Sequence, residues 1–195
     1  AENFTIEEMK TWVDYCHLYG VDVHVTVNTL VKEKEIESLK EYLKQLNKIG
    51  VDALIVQDMG AVEIIKKTVP DMTLHASTQM TVTSLEGVKY LEDMGFSRVV
   101  LARELSEKEI EHICKNAKAE IEVFVHGAIC MCYSGQCLMS SILGGRSGNR
   151  GRCAQPCRLP YDLLENGKTV KSGYVLSPKD MALVNDLETL KRIGV

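Results

Sequence analysis

Several features that define common classes of protein are missing from this chain. No run of apolar residues approaches the roughly 18 that a transmembrane helix needs, so no membrane span is expected. No stretch has the charged, apolar and small-residue order of a signal peptide, and we therefore expect a cytoplasmic protein with reduced cysteines. The motifs His-Glu-x-x-His and Gly-x-Ser-x-Gly are also absent, so the sequence itself indicates no hydrolase of those two types.

The net charge of the chain is also small. The 23 Lys and Arg residues and 27 Asp and Glu residues give a formal net charge of -4. A nucleic acid would therefore have to be held by a local basic patch and not by the field of the whole protein. The 195 residues, 45% hydrophobic and 26% charged, suit one domain with a single core.

Cysteine and arginine are concentrated in residues 127–161, here called the Cys/Arg segment. Five of the seven cysteines lie between Cys130 and Cys157, and no Asp or Glu occurs between Glu122 and Asp162. The spacing Cys130-x6-Cys137-x15-Cys153-x3-Cys157 supplies four thiolates for a soft metal or a cluster, with Cys132 in addition. It matches neither a zinc ribbon nor a bacterial ferredoxin. The alternative is a set of free cysteines buried as small hydrophobes, which the surrounding Gly, Ser, Arg and Asn residues disfavour.

Helical and strand-like stretches alternate along the first 125 residues, separated by Gly20, Gly50 and Gly95. Such alternation predicts parallel βα units and an α/β fold. We predict helices over 6–19, 35–49, 61–68, 85–94 and 106 to about 117, and strands over 21–28, 51–56, 73–76, 98–102 and 121–125.

The predicted units favour a (β/α) TIM-barrel-like fold, because no glycine-rich phosphate loop of the Rossmann type follows any strand. A closed barrel needs eight strands, and we expect residues 1–195 to form a single incomplete barrel. Residues 162–195 are expected to form a hairpin at Asn166-Gly167 and a final helix from Met181 to Ile193.

Polar residues close each predicted strand: Asn28, Asp58, His75, Arg103 and His126. In a (β/α) barrel these strand ends meet at the active site. We therefore take His75, Glu104 and His126 as candidate catalytic residues, because histidine and carboxylate side chains can transfer protons near neutral pH. The alternative is that each histidine is a hydrogen-bonded structural residue.

The arginines are candidates for binding an anion. A guanidinium recognises phosphate or carboxylate with two parallel hydrogen bonds. We predict that Arg103, Arg146, Arg150 and Arg152 bind substrate, either RNA phosphate or a small carboxylate such as prephenate. The absence of acidic residues from the segment argues against the alternative, a solvated loop.

Four stretches carry a resemblance to a known family. The run from Glu122 to Ser140, E-x-F-x-x-G-A-I-C-x4-G-x-C-x-M-S, closely resembles the signature of the collagenase-like peptidase family of unassigned catalytic type. The stretches Gly144–Tyr161, His75–Gln79 and Leu101–Leu105 are similar to the same family. The resemblance extends over essentially the whole chain.

The resemblance implies two functions. One is a peptidase, a hydrolase acting on peptide substrates. The other is an iron–sulfur-dependent factor for hydroxylation of tRNA, rRNA or a small molecule, with a 4Fe-4S cluster held by cysteines. Some members have a cysteine in the helix after Ser-Pro-Lys-Asp, where this chain has Ala182. The fourth ligand would then be Cys157, or three cysteines would hold the cluster. The remaining alternative is that the chain holds no cluster.

Overall fold

The computed structural model describes residues 3–195. Helices and strands alternate up to residue 122, as predicted. The helices are α1 (Ile6–Leu18), α2 (Ile36–Ile49), α3 (Met59–Thr68), α4 (Leu85–Asp93) and α5 (Glu107–Asn116). The strands are β1 (His24–Val27), β2 (Ala53–Val56), β3 (Thr73–Ala76), β4 (Phe96–Val100) and β5 (Glu120–Glu122).

Local chemistry sets the helix boundaries. Thr5 and Glu8 form a capping box at the start of α1, and Ser106 and Glu109 form another at the start of α5. Gly50 ends α2 in the left-handed conformation, with φ of 85°. These predicted boundaries are confirmed.

The five strands form one parallel sheet in the order β1-β2-β3-β4-β5. Strands that follow one another in the sequence are neighbours in the sheet, as in a (β/α) barrel. In a Rossmann sheet the order of the strands reverses near the middle. Within residues 3–195 the sheet stays open between β1 and β5. The α/β, TIM-barrel-like class is confirmed, with the barrel not closed.

The helices cover one face of the sheet and create the core. Leu54 and Val56 of β2 are fully buried, as are Leu43, Leu46 and Ile65 of the neighbouring helices. Truncating one such leucine to alanine typically costs about 2–5 kcal/mol. The core therefore fixes the strands, and the strands fix the loops that follow them.

The opposite face of the sheet, which would be the barrel interior, carries several charged and polar side chains. The ring of His75 on β3 meets the edge of His24 on β1 at 4.7 Å between centroids. Arg98 on β4 pairs with Glu120 at 2.6 Å and with Glu122 at 3.5 Å. Barrel interiors usually hold branched apolar side chains, so this face departs from the common pattern.

Two predicted boundaries after residue 120 are wrong. The strand expected over 121–125 ends at Glu122, and β6 (His126–Gly127) joins a different sheet, antiparallel to β9 (Met181–Ala182). The helix expected from Met181 begins only at Leu187, as α7 (Leu187–Ile193). The reason is a non-local pairing: the Leu183 amide donates to the Val125 carbonyl at 2.8 Å, which extends this part of the chain.

The predicted hairpin is confirmed. Strands β7 (Tyr161–Glu165) and β8 (Lys168–Gly173) are antiparallel neighbours. Asn166 and Gly167 between them both have positive φ, 49° and 75°, as a type I′ turn requires. A further short helix, α6 (Met139–Gly144), lies inside the Cys/Arg segment. Throughout residues 3–195, no helix is both long enough and apolar enough to cross a bilayer.

Candidate functional site

Four cysteines line one cavity of about 370 Å³ at the carboxyl ends of the strands. These are Cys130, Cys137, Cys153 and Cys157, the four residues predicted from the sequence as metal ligands. Asn28 from the end of β1 and Arg103 from the loop after β4 line the same cavity. We call it the thiol cavity. The folding of the Cys/Arg segment therefore brings together thiols that are up to 27 positions apart.

Ser134 anchors the first half of the Cys/Arg segment. Its amide and hydroxyl both donate to the Glu104 carboxylate, at 3.0 and 3.1 Å. The Thr81 hydroxyl donates to the Ser134 carbonyl at 2.7 Å. Ser134 is buried, and its partners come from the loops after β3 and β4. These bonds fix the loop that carries Cys130, Cys132 and Cys137 onto the rim of the sheet.

Gly135 makes this docking sterically possible. Its φ is 76°, in the region that favours glycine, and its backbone lies directly against Gln79. A Cβ at this position would overlap the Gln79 carbonyl oxygen and would lie 2.9 Å from the Gln79 Cα. The contact is therefore one that a residue with a side chain cannot make without movement.

The second half of the segment is anchored on the loop after β1. The Asn149 carbonyl accepts from the Leu30 amide at 3.1 Å and from the Gln57 side-chain amide at 3.0 Å. Arg150 forms two hydrogen bonds to Glu35, at 2.6 and 2.9 Å. The Arg150 hydrogen bonds hold the pKa of Glu35 down to about 2.

The arginines have different surroundings. The Arg150 guanidinium is engaged by Glu35. Arg158, which lines the thiol cavity, donates to the carbonyls of Pro178 and Ile129 and pairs with Asp180 at 2.9 Å. The Arg103 guanidinium lies 3.9 Å from the centre of the Phe124 ring, at the cavity wall.

Arg146 and Arg152 lie together on the surface. Arg146 donates from Nε to the Arg152 carbonyl at 3.1 Å, and both side chains are exposed. Among residues 3–195, the Arg152 side chain takes part in no ion pair or hydrogen bond. Of the four arginines predicted to bind substrate, Arg103, Arg146 and Arg152 are therefore the three whose charge is not neutralised by a carboxylate among the described residues.

The three candidate catalytic residues have separate surroundings. His75 is buried on the inner face of β3 and is 4% exposed. Glu104 is occupied by Ser134, and His126 is an exposed residue of β6. None of the three lines the cavity, and in the described part of the chain no hydrogen bond joins any two of them.

Burial lowers the pKa of His75. Its Nδ1 is buried without a hydrogen-bond partner. Desolvation, reinforced by the charges of Arg98 and His24, lowers the pKa of His75 to about 4, while Glu120 acts in the opposite direction. His75 is therefore neutral in the folded protein at pH 7.

We expect His75 to make the protein sensitive to acid. The unfolded chain takes up a proton near pH 6.5 and the folded chain only near pH 4, so stability is lost as the pH falls through this window. The loss attributable to His75 is expected to reach at most about 3 kcal/mol. Urea unfolding between pH 7 and pH 4 should therefore show a steeper loss for wild type than for His75→Gln. Parallel curves would contradict the assignment.

The surroundings of the thiols bear on which metal group they could hold. Burial raises the pKa of Cys130, against the opposing charge of Arg103, and burial also raises the pKa of Cys132. Within residues 3–195 no three His, Cys, Asp or Glu side chains are grouped closely enough for a single metal ion. The lining of the thiol cavity includes four thiols and no carboxylate or imidazole, a donor set whose chemistry suits a soft metal or an iron–sulfur cluster.

Comparison with known proteins identifies relatives of this chain. The model of peptidase family U32 matches residues 1–195. The chain is 42% identical over 193 residues to the 23S rRNA 5-hydroxycytidine C2501 synthase of Escherichia coli, covering 98% of this chain and 29% of that protein. It is 36% identical over 203 residues to the tRNA hydroxylation protein P1 of Bacillus subtilis, covering 100% of this chain and 48% of that protein.

A solved structure shares the fold. The U32 peptidase Mk0906 superposes with a TM-score of 0.53 at 22% identity, over 63% of this chain and 53% of that chain. At this identity the likeness concerns the fold alone. The chain spans less than half the length of the two curated relatives above.

Proposed function

This chain belongs to peptidase family U32, and from that premise we propose that it forms part of an iron–sulfur-dependent factor for the hydroxylation of RNA. The thiol cavity is the proposed cluster site. The two curated relatives above are both named for RNA hydroxylation, one on 23S rRNA and one on tRNA. A reducing cytoplasm, where thiols stay free and RNA is present, suits this role.

The observation that carries the proposal is the convergence of four thiols on one cavity. Cys130, Cys137, Cys153 and Cys157 would hold a 4Fe-4S cluster, because iron–sulfur clusters are ligated by cysteine thiolates. When bound, such a cluster supplies electron transfer. Ala182, on β9, has no side chain that could bind iron, and the fourth ligand in this chain would be Cys157, which lines the cavity.

The chain's own residues would position the RNA. Arg103 presents a positive charge at the cavity wall, where its guanidinium lies over the Phe124 ring. Arg146 and Arg152 offer exposed positive charges, suited to phosphate. Ser134 and Gly135 keep the thiol loop against the sheet, which closes one wall of the cavity.

Peptide hydrolysis is the function that the family's name suggests, and the geometry favours it less. A hydrolytic site needs a nucleophile and a base within hydrogen-bond reach of each other. His75, Glu104 and His126 do not form such a group within residues 3–195. Neither curated relative above is named for a small carboxylate, and prephenate is not part of the proposal.

The proposal predicts a change in cellular RNA. Cells lacking the gene should lose one hydroxylated nucleoside from rRNA or tRNA, measured by mass spectrometry of digested RNA. Full-length wild type should restore it, and Cys153→Ser should not. The same purified proteins should be incubated with gelatin as a control. An unchanged nucleoside profile, with gelatin cleavage that Glu104→Gln abolishes, would favour a peptidase instead.

A further inference from the structure

A second, larger cavity adjoins the thiol cavity. Its volume is about 580 Å³, and it lies between the loops after β1, β2 and β3 and the start of α4. Gln79, Gly135 and Asn149 line both cavities. We call this second cavity the amide groove. A ligand that fills the thiol cavity and extends past these three residues would enter the groove.

The lining of the amide groove carries no formal charge. None of its 15 lining residues is Asp, Glu, Lys, Arg or His. Phosphate and carboxylate ligands are usually held by cationic side chains, so this groove does not suit an anionic group. Its polar groups are amides and hydroxyls, which suit a neutral ligand with hydrogen-bond donors and acceptors at its edge.

Two amides are available for such a ligand. In the described residues, Gln79 and Asn149 enter hydrogen bonds only through backbone atoms, which leaves both side-chain amides unengaged. A carboxamide both donates and accepts, and it pairs with adenine through two hydrogen bonds. Both residues stand at the junction of the two cavities, where they can contact a group bound beside the thiols.

Tyr90 supplies an aromatic surface. It lies on α4, lines the groove and is 62% exposed. Single-stranded RNA is bound by stacking its bases on exposed aromatic side chains and by reading their edges with polar groups. Tyr90 with the two free amides provides both kinds of contact.

We infer that the amide groove binds a nucleobase next to the reacting one, with adenine the preferred base. This inference rests on the proposed function, because it places the reacting base at the thiol cavity. The flanking base would stack on Tyr90, and Gln79 and Asn149 would pair with its edge. The uncharged groove would receive the base, while the phosphates would lie toward Arg103 and Arg152.

The test measures binding of labelled single-stranded RNA by fluorescence anisotropy with the full-length protein. Oligo(A) should bind more tightly than oligo(U) or oligo(C). Tyr90→Ala should weaken oligo(A) binding roughly tenfold, and Tyr90→Phe should keep it. Gln79→Ala should reduce the preference for oligo(A) over oligo(U). Tyr15→Ala is the matched control, because Tyr15 is also an exposed helical tyrosine but lines neither cavity.

Failure of the groove assignment and failure of the proposed function give different results in this test. If wild type binds oligo(A) and Tyr90→Ala binds it equally well, the groove assignment is wrong and the proposed function stands. The same holds if Tyr15→Ala weakens binding as much as Tyr90→Ala. If wild type binds none of the RNAs but binds a labelled peptide of mixed sequence, both the inference and the RNA function are overturned.

Discussion

Replacing Cys137 by serine in the full-length protein, purified without oxygen, is expected to reduce bound iron and sulfide to background. Cys130→Ser should have the same effect, because both thiols line the thiol cavity and a serine hydroxyl is a poor ligand for soft metals. Metal analysis and the visible absorption spectrum measure the loss. Cys153→Ser and Cys157→Ser are expected to follow the same pattern if four thiolates hold the cluster.

The chain offers matched controls for this prediction. Cys16 lies on α1 and Cys114 on α5, both half-buried and away from the thiol cavity. Burial raises the pKa of Cys114, as expected of a thiol packed at a helix face. Cys16→Ser and Cys114→Ser should retain iron. If Cys16→Ser removes iron as completely as Cys137→Ser, the ligand assignment fails.

Cys132 gives a finer test. Burial and the neighbouring Cys137 thiol raise its pKa, yet it does not line the thiol cavity. Cys132→Ser is expected to keep most of the iron. Loss of iron in this variant, with retention in Cys157→Ser, would move the fourth ligand from Cys157 to Cys132.

The parts of the fold that could be predicted are those set by local chemistry. The capping boxes at Thr5 and Ser106 and the left-handed Gly50 are signals carried by a few adjacent residues. The parallel strands follow from apolar runs between those helices. The β6–β9 pair has no such signal, because it joins residues 126–127 to 181–182 through backbone bonds that their side chains do not specify.

The site illustrates the same limit. The four cavity thiols could be named from their density in the sequence, because few other reasons bring so many cysteines together. Their anchor Ser134 could not, since its partner Glu104 is 30 residues away. The ion pair of Arg150 could not be predicted either, because no acidic residue lies near it in the sequence. Its partner Glu35 is 115 positions distant, so local composition did not show that the charge is neutralised.

Replacing Gly135 by alanine is expected to detach the thiol loop from the sheet. Two costs add: alanine is strained at the φ of 76°, and its Cβ would overlap the Gln79 carbonyl oxygen. A backbone oxygen cannot rotate away as a side chain can, so relief requires movement of the loop. We expect a loss of about 4 kcal/mol in the stability of the docked loop, together with loss of iron.

The measurement combines iron content with hydrogen exchange. The Ser134 amide donates to Glu104 in the docked loop, so its exchange should accelerate strongly in Gly135→Ala while amides of the β2 core keep their protection. Gly145→Ala is the matched control, because Gly145 has a similar φ of 64° but nothing within 4 Å of the added Cβ. This control isolates backbone strain, expected to cost about 1 kcal/mol. Equal losses of iron and of amide protection in the two variants would show that backbone strain alone, and not the Gln79 contact, determines how the loop is held. A larger loss in Gly135→Ala assigns the docking to that contact.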